Sequence, residues 1–200
     1  QATLISVEIV PLVLAGNSVQ INSSVSGAWV FVESGSTITT TSGDNGIIAD
    51  TTTLLDVTNS GTISANKNKA IDIYRSTNSS ITNNSGATIS SVGNTIRTGG
   101  TSGDPSTGYT ITNSGKIFST HTGNKSSVFF GNVNSSGGTI TNNSGGEIYS
   151  GGTATTIKVG GTTTIKNRGS IKNNTSVDDN VIELLGSDNT VTLEEGSILV

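Results

Sequence analysis

The 200-residue chain has no cysteine and no methionine, only two prolines, one tryptophan and one histidine, and aromatic residues make up 4% of it. Without cysteine there is no disulfide framework and no thiolate metal site, and a single histidine makes a zinc site a poor expectation. Charge is sparse too: 12% of residues are charged and the net charge is −4, which gives no electrostatic footprint for nucleic acid. No apolar run approaches the roughly 18 residues of a membrane-spanning helix, and no charged signal peptide is visible at the start. No cofactor is expected.

What fills the space is small and polar. Thr (32), Ser (30), Gly (26) and Asn (21) account for over half the chain, and only 31% of residues are hydrophobic. Such a composition usually reads as disorder. The apolar residues argue otherwise, because Ile (21) and Val (16) far outnumber Leu (9) and Ala (8). β-Branched side chains favour strands and serve little purpose in a disordered chain. An ordered all-β protein is expected.

A motif recurs: Ile or Val, then Thr-Asn-Ser-Gly or a variant, then Ile. It is seen at Val57–Ile63, Ile81–Ile89, Ile111–Ile117 and Ile140–Ile148, with degenerate copies at Ile165–Ile171 and Val191–Ile198 and a half-copy at Ser34–Ile38. The closing isoleucines fall at 38, 63, 89, 117, 148, 171 and 198, a loose period near 27. A fixed motif at a loose period predicts a fixed scaffold with loops of variable length. A second apolar segment precedes each motif, as in Ala70–Tyr74, Thr156–Val159 and Val181–Leu185. Within it Ile71/Ile73, Ile157/Val159 and Val181/Glu183/Leu185 alternate, so one face of each is expected to be buried. Each period then holds three short strands, two flanking the Asn-Ser-Gly turn and one before it.

Two architectures carry three strands per period: a sandwich of antiparallel strands and a coil whose equivalent strands stack in parallel about 4.8 Å apart. Repetition of the motif as sequence favours the coil, and Asn-Ser-Gly suits a left-handed residue at a corner. The expected fold is a right-handed single-stranded parallel β-helix of about seven to eight coils, since parallel crossovers are overwhelmingly right-handed. Asn59, Asn84, Asn113, Asn143 and Asn167 are expected to stack as a structural ladder along one corner. Residues 1–32, the most apolar stretch and home of Trp29, read as an N-terminal cap and first coil, and residues 33–200 as the repeat coils. The chain stops inside a strand pattern, which suggests a fragment.

Chemistry is thinner. Asp178 and Asp179, near Asp188, Glu194 and Glu195, are the candidates for a carboxylate pair of the kind glycan-cleaving β-helices need, but they follow a turn-like Asn173–Val177 and read as a solvated corner. His121 has no Gly-x-Ser-x-Gly partner. The longest excursions between strands, Arg97–Gly108, Thr120–Ser127 and Val133–Gly138, are more suggestive. Tyr109, Phe118, Phe129, Phe130 and Tyr149 lie in or beside them, and exposed aromatics beside projecting loops suit a binding surface. The candidate partner-binding residues are Arg97, Asp104, Tyr109, His121, Lys125, Phe129, Phe130 and Asn134.

The reiterated Ile-Thr-Asn-Ser-Gly-x-Ile motif resembles the passenger domains of bacterial autotransporters, over roughly residues 33–200. The resemblance implies an exported right-handed β-helix, surface-displayed or released, normally followed by a C-terminal membrane barrel that this chain does not contain. It implies a non-enzymatic adhesin or receptor-binding effector whose partner is a host cell-surface protein or glycan, with no membrane insertion of this segment. Self-association driving bacterial aggregation and a polysaccharide-cleaving enzyme are the alternatives.

Overall fold

The structure, a computed structural model, describes residues 6–9, 13–15, 18–21, 26–41, 43–100, 105–123, 127–130, 135–174 and 180–200. It is a parallel β-solenoid with no helix among these residues. The chain lays down three strands per coil. The first coil is β1 (Ser6–Ile9), β2 (Val13–Ala15) and β3 (Val19–Ile21), and the second is β4 (Trp29–Val32), β5 (Thr37–Thr40) and β6 (Ile47–Asp50). Then come β7 (Asp56–Asn59), β8 (Thr62–Ala65) and β9 (Ile71–Tyr74), followed by β10 (Ser80–Asn83), β11 (Thr88–Ser91) and β12 (Ile96–Gly99). The next two coils are β13 (Thr110–Asn113), β14 (Lys116–Ser119) and β15 (Val128–Phe130), and β16 (Thr139–Asn142), β17 (Glu147–Ser150) and β18 (Ile157–Val159). The last strands are β19 (Thr164–Asn167), β20 (Ser170–Asn173), β21 (Ile182–Leu184), β22 (Thr190–Leu193) and β23 (Ile198–Leu199).

Every third strand pairs, so the tube has three faces of eight, eight and seven parallel strands. These are a first face from β1 to β22, a second from β2 to β23 and a third from β3 to β21. The strand counts fit the expected seven to eight coils. Strands are short because each needs only one or two inward side chains. On the first two faces most strands alternate buried and partly exposed positions, the period-two signature of a sheet with one wet side. The inward columns stack like on like: Val57, Ile81, Ile111, Ile140 and Ile165 on the first face, Ile63, Ile89, Ile117, Ile148 and Ile171 on the second, all at most 1% exposed. Each such burial is worth about 1.5–3 kcal/mol, so a thin line of isoleucine supports a chain that is mostly hydroxyls and amides.

The apolar N-terminal segment supplies the first coil: β1, β2 and β3 pair in parallel with β4, β5 and β6. Register corrects three details of the expected layout. Trp29 belongs to the second coil, on the outward side of β4. In the last coil Leu199, not Ile198, aligns with Ile171. And Ile182 and Leu184, rather than Val181, Glu183 and Leu185, align with the core pair Ile157 and Val159, while Glu183 falls opposite Lys158.

The asparagine ladder is real, but two of its rungs are one residue earlier than expected. Asn59 Nδ2 donates to Asn83 Oδ1 at 2.9 Å, Asn83 to Asn113 at 2.9 Å, Asn113 to Asn142 at 2.8 Å and Asn142 to Asn167 at 2.8 Å. All five are fully buried. Asn84 and Asn143 lie at the corner instead, and their amides donate to Ser60 Oγ and Ser114 Oγ. The reason is the corner length. Corners between the first and second faces alternate between four residues (33–36, 84–87, 143–146, 194–197) and two (60–61, 114–115, 168–169). The four-residue corners turn on Gly35, Gly86, Gly145 and Gly196, with φ of +82°, +80°, +79° and +81°, a region that only glycine enters cheaply. Counting back from Ser-Gly therefore picks the wrong asparagine in every second coil.

Candidate functional site

Of the expected contact residues, Asp104, Lys125 and Asn134 lie outside the described residues. Phe129 and Phe130 are placed by backbone register only. Phe129 falls between Arg97 and Lys158 on the third face, and Phe130 opposite Thr98. The three others do not converge. Tyr109 is 2% exposed and lies inside the tube. Its ring packs directly over Gly138, and its hydroxyl lies 3.3 Å from Thr163 Oγ1 in the coil beyond. The missing side chain at Gly138 is what lets the phenol span two coils. Burial pushes the Tyr109 phenol up to about 12, with the Thr163 hydrogen bond opposing it. His121 is half-buried, and its Nδ1 accepts the Gly123 backbone N–H at 2.7 Å, closing a local turn. Arg97 is committed to Asp72.

That pairing is the most buried charge on the third face. Asp72 is 6% exposed. Its carboxylate accepts a bidentate pair from Arg97 (Nε–Oδ1 2.7 Å, Nη2–Oδ2 2.8 Å) and a bond from Asn45 Nδ2 at 3.0 Å, with Lys69 Nζ at 3.6 Å. One coil earlier, Arg75 clasps Asp50. Tyr74 lies between the two guanidinium groups, 5.2 and 5.0 Å from its ring centre. Buried carboxylates need such partners, and the cluster locks neighbouring coils in register.

The excursions leave the tube at two different corners. Segment 120–127 joins β14 to β15, while segments 100–109 and 131–138 join the third face to the first.

The second face carries the clearest change of surface chemistry. Its outward positions in the early coils are Thr37 and Thr39, Thr62 and Ser64, Thr88 and Ser90. At the same register the next three coils present Lys116 and Phe118, Glu147 and Tyr149, Ser170 and Lys172. Phe118 and Tyr149 stack with ring centres 4.8 Å apart and planes 2° from parallel. Glu147 sits between Lys116 and Lys172 at 3.6 and 3.5 Å. Partial burial and then the Glu147 charge raise the Tyr149 phenol. The sequence carries the signal, since Phe118 and Tyr149 stand at one position of the repeat and both belong to the aromatics singled out beside the loops, but their placement on a strand face and their stacking need the register.

Among the described residues no group of three or more His, Asp or Glu side chains is placed to hold a metal ion. Asp178 and Asp179 lie outside the described residues, and Glu194 pairs with Arg168. Comparison with protein-family models, curated proteins and solved structures finds no match for this chain.

Proposed function

We propose that this chain is the non-enzymatic binding part of an exported bacterial protein, surface-displayed or released in the manner of an autotransporter passenger, and that it contacts host cell-surface molecules through its second face. The observation that supports this reading is the abrupt replacement of Thr and Ser by the Phe118–Tyr149 stack and its flanking Lys116, Glu147 and Lys172. A stacked aromatic pair ringed by charge has the composition of an interaction hot spot. The earlier coils supply the control, because Ser64 and Ser90 occupy the same column. Flow-cytometric titration of the labelled protein on cultured mammalian cells tests it. Saturable binding that falls at least tenfold in Phe118→Ser/Tyr149→Ser is expected. Equal binding by parent and variant would remove the second face from the proposal.

A second reading, self-association, has its own support on the first face. Thr110 and Thr112, then Thr139 and Thr141, form outward rows in neighbouring coils, a flat hydroxyl surface suited to zipping against another copy. The same register carries Lys166 one coil on, so Thr112→Lys and Thr141→Lys are compatible with the fold. Sedimentation equilibrium that shows dimers in the parent and monomers in the double variant would favour this reading.

A further inference from the structure

The corner leading into the first face repeats one backbone device. Residues Ser26, Thr53, Thr77, Thr107 and Ser136 bridge in parallel from coil to coil. The residue after each has a positive φ: Gly27 (76°), Leu54 (59°), Asn78 (53°), Gly108 (67°) and Gly137 (72°). Glycine and asparagine enter this region at little cost, but leucine does so only against its own Cβ. Leu54 is also 53% exposed. A strained backbone that holds an apolar side chain out in water calls for a reason beyond folding.

Its surroundings supply one. Trp29 and Phe31, on the outward side of β4, stand beside it and line a groove of about 440 Å³ together with Leu54, Asp56 and Thr58. The same two columns carry Ser80 and Thr82, Thr110 and Thr112, and Thr139 and Thr141 in later coils. The aromatic pair is thus a local departure on a face whose following coils present mainly hydroxyls, with Asp56 and Lys166 as the charged exceptions. Asp56 is exposed and accepts a bond from Ser80 Oγ at 2.6 Å. Among the described residues no lysine, arginine or histidine lines the groove.

We propose that this groove binds a neutral sugar unit of a cell-surface glycan. A pyranose ring has an apolar C–H face and a hydroxyl rim. The indole and phenyl of Trp29 and Phe31 match the first, Leu54 closes the side, and the Asp56 carboxylate and Thr58 hydroxyl accept and donate at the rim. A few polar groups on an apolar floor is the usual make-up of a small-ligand site of this size. The Asp56 charge, with no cation among the described lining residues, disfavours acidic sugars.

The inference rests on the reading that the outer faces serve recognition, but its test needs no cells. Trp29 is the only tryptophan in the chain, so its fluorescence reports the groove directly. The protein is titrated with glucose, galactose, mannose and N-acetylglucosamine, their short oligosaccharides, and glucuronic acid. A saturable emission change with at least one neutral sugar, and none with glucuronic acid, is expected. Leu54→Asn, the residue type of the next coil's corner, is expected to weaken binding about tenfold while leaving the melting temperature unchanged or higher. Phe31→Thr is expected to weaken it similarly. No response to any neutral sugar, a preference for the acidic one, or unaltered binding by both variants would overturn the proposal. An emission change that follows protein concentration alone would assign the groove to a second copy of the chain and overturn it as well. Saturable cell binding with no response to any sugar would sink the groove and leave the broader reading standing. Sugar binding without cell binding would do the reverse.

Discussion

Asn83 and Asn84 are adjacent, chemically identical and placed in opposite environments. Asn83 is fully buried, receives Asn59 Nδ2, and donates to Asn113 Oδ1 and to the Lys116 carbonyl at 3.2 Å. Asn84 sits at the corner, where its side-chain amide donates to Ser60 Oγ at 2.8 Å. Removing a member of a buried network strands its neighbours' polar atoms, at about 1–3 kcal/mol. Asn83→Ala is therefore expected to cost about 2–3 kcal/mol in urea unfolding and Asn84→Ala less than about 1 kcal/mol. Equal losses would undo the register described here. Tyr109 makes a second residue-scale prediction. Its phenol is neutral in the fold and resists ionisation until about pH 12, against an ordinary value of 10.0. The raised folded value means that its stabilisation is complete below pH 10 and is lost as pH climbs from 10 to 12, to the extent of about 2–3 kcal/mol. Thermal melts across that window are expected to fall more steeply for the parent than for Tyr109→Phe, which keeps the ring and has no proton to lose.

At the scale of the element, the corners between the first and second faces decide how the strands line up. The four-residue corners need glycine for its backbone: an added Cβ at Gly86 meets nothing, yet φ is +80°. The two-residue corners need it for closeness: a Cβ on Gly115 would overlap the Asn84 and Ala87 carbonyl oxygens of the coil before. Gly86→Ala is expected to cost about 1 kcal/mol from strain alone, and Gly115→Ala about 3 kcal/mol because the backbone beneath it must move. Comparable melting temperatures for the two would contradict the distinction. The same alternation explains what the sequence made legible. Period, strand count per coil, parallel stacking and the isoleucine columns all follow from a motif that repeats like on like. Which of two neighbouring asparagines points inward does not, because it depends on counting from the strand rather than from the glycine. Tyr109 looked like a loop aromatic for a related reason. Its inward placement is set by Gly138, 29 residues later in sequence, whose missing side chain becomes visible only when the coils are superposed. Leu54 gave no signal at all, since a left-handed leucine is a property of the backbone.

Across the whole molecule each coil pairs with its neighbours, with the Tyr109–Thr163 contact as one reach beyond them, so stability is approximately a sum of coil and interface terms. Interior coils have two interfaces. In the coil of β22 and β23 the apolar residues Val191, Leu193, Ile198 and Leu199 are 38–51% exposed, whereas Ile111 and Ile117 are fully buried. The ladder stops there as well, because Leu193 occupies the register position of Asn167. Local opening is favoured where few buried contacts hold a segment. Amide exchange in Thr190–Leu193 is therefore expected to be faster by orders of magnitude than in Thr110–Asn113, with protection rising coil by coil inward. Uniform protection along the tube would mean instead that the coils open only together. Leu193→Asn separates the two causes of weakness. It gives up a side chain that is already half in water and offers Asn167 Nδ2, now bonded to the Ile198 carbonyl at 3.1 Å, an amide oxygen of the next rung. If the ladder couples coils as its geometry indicates, this variant slows exchange in β22. If only apolar coverage matters, it speeds it.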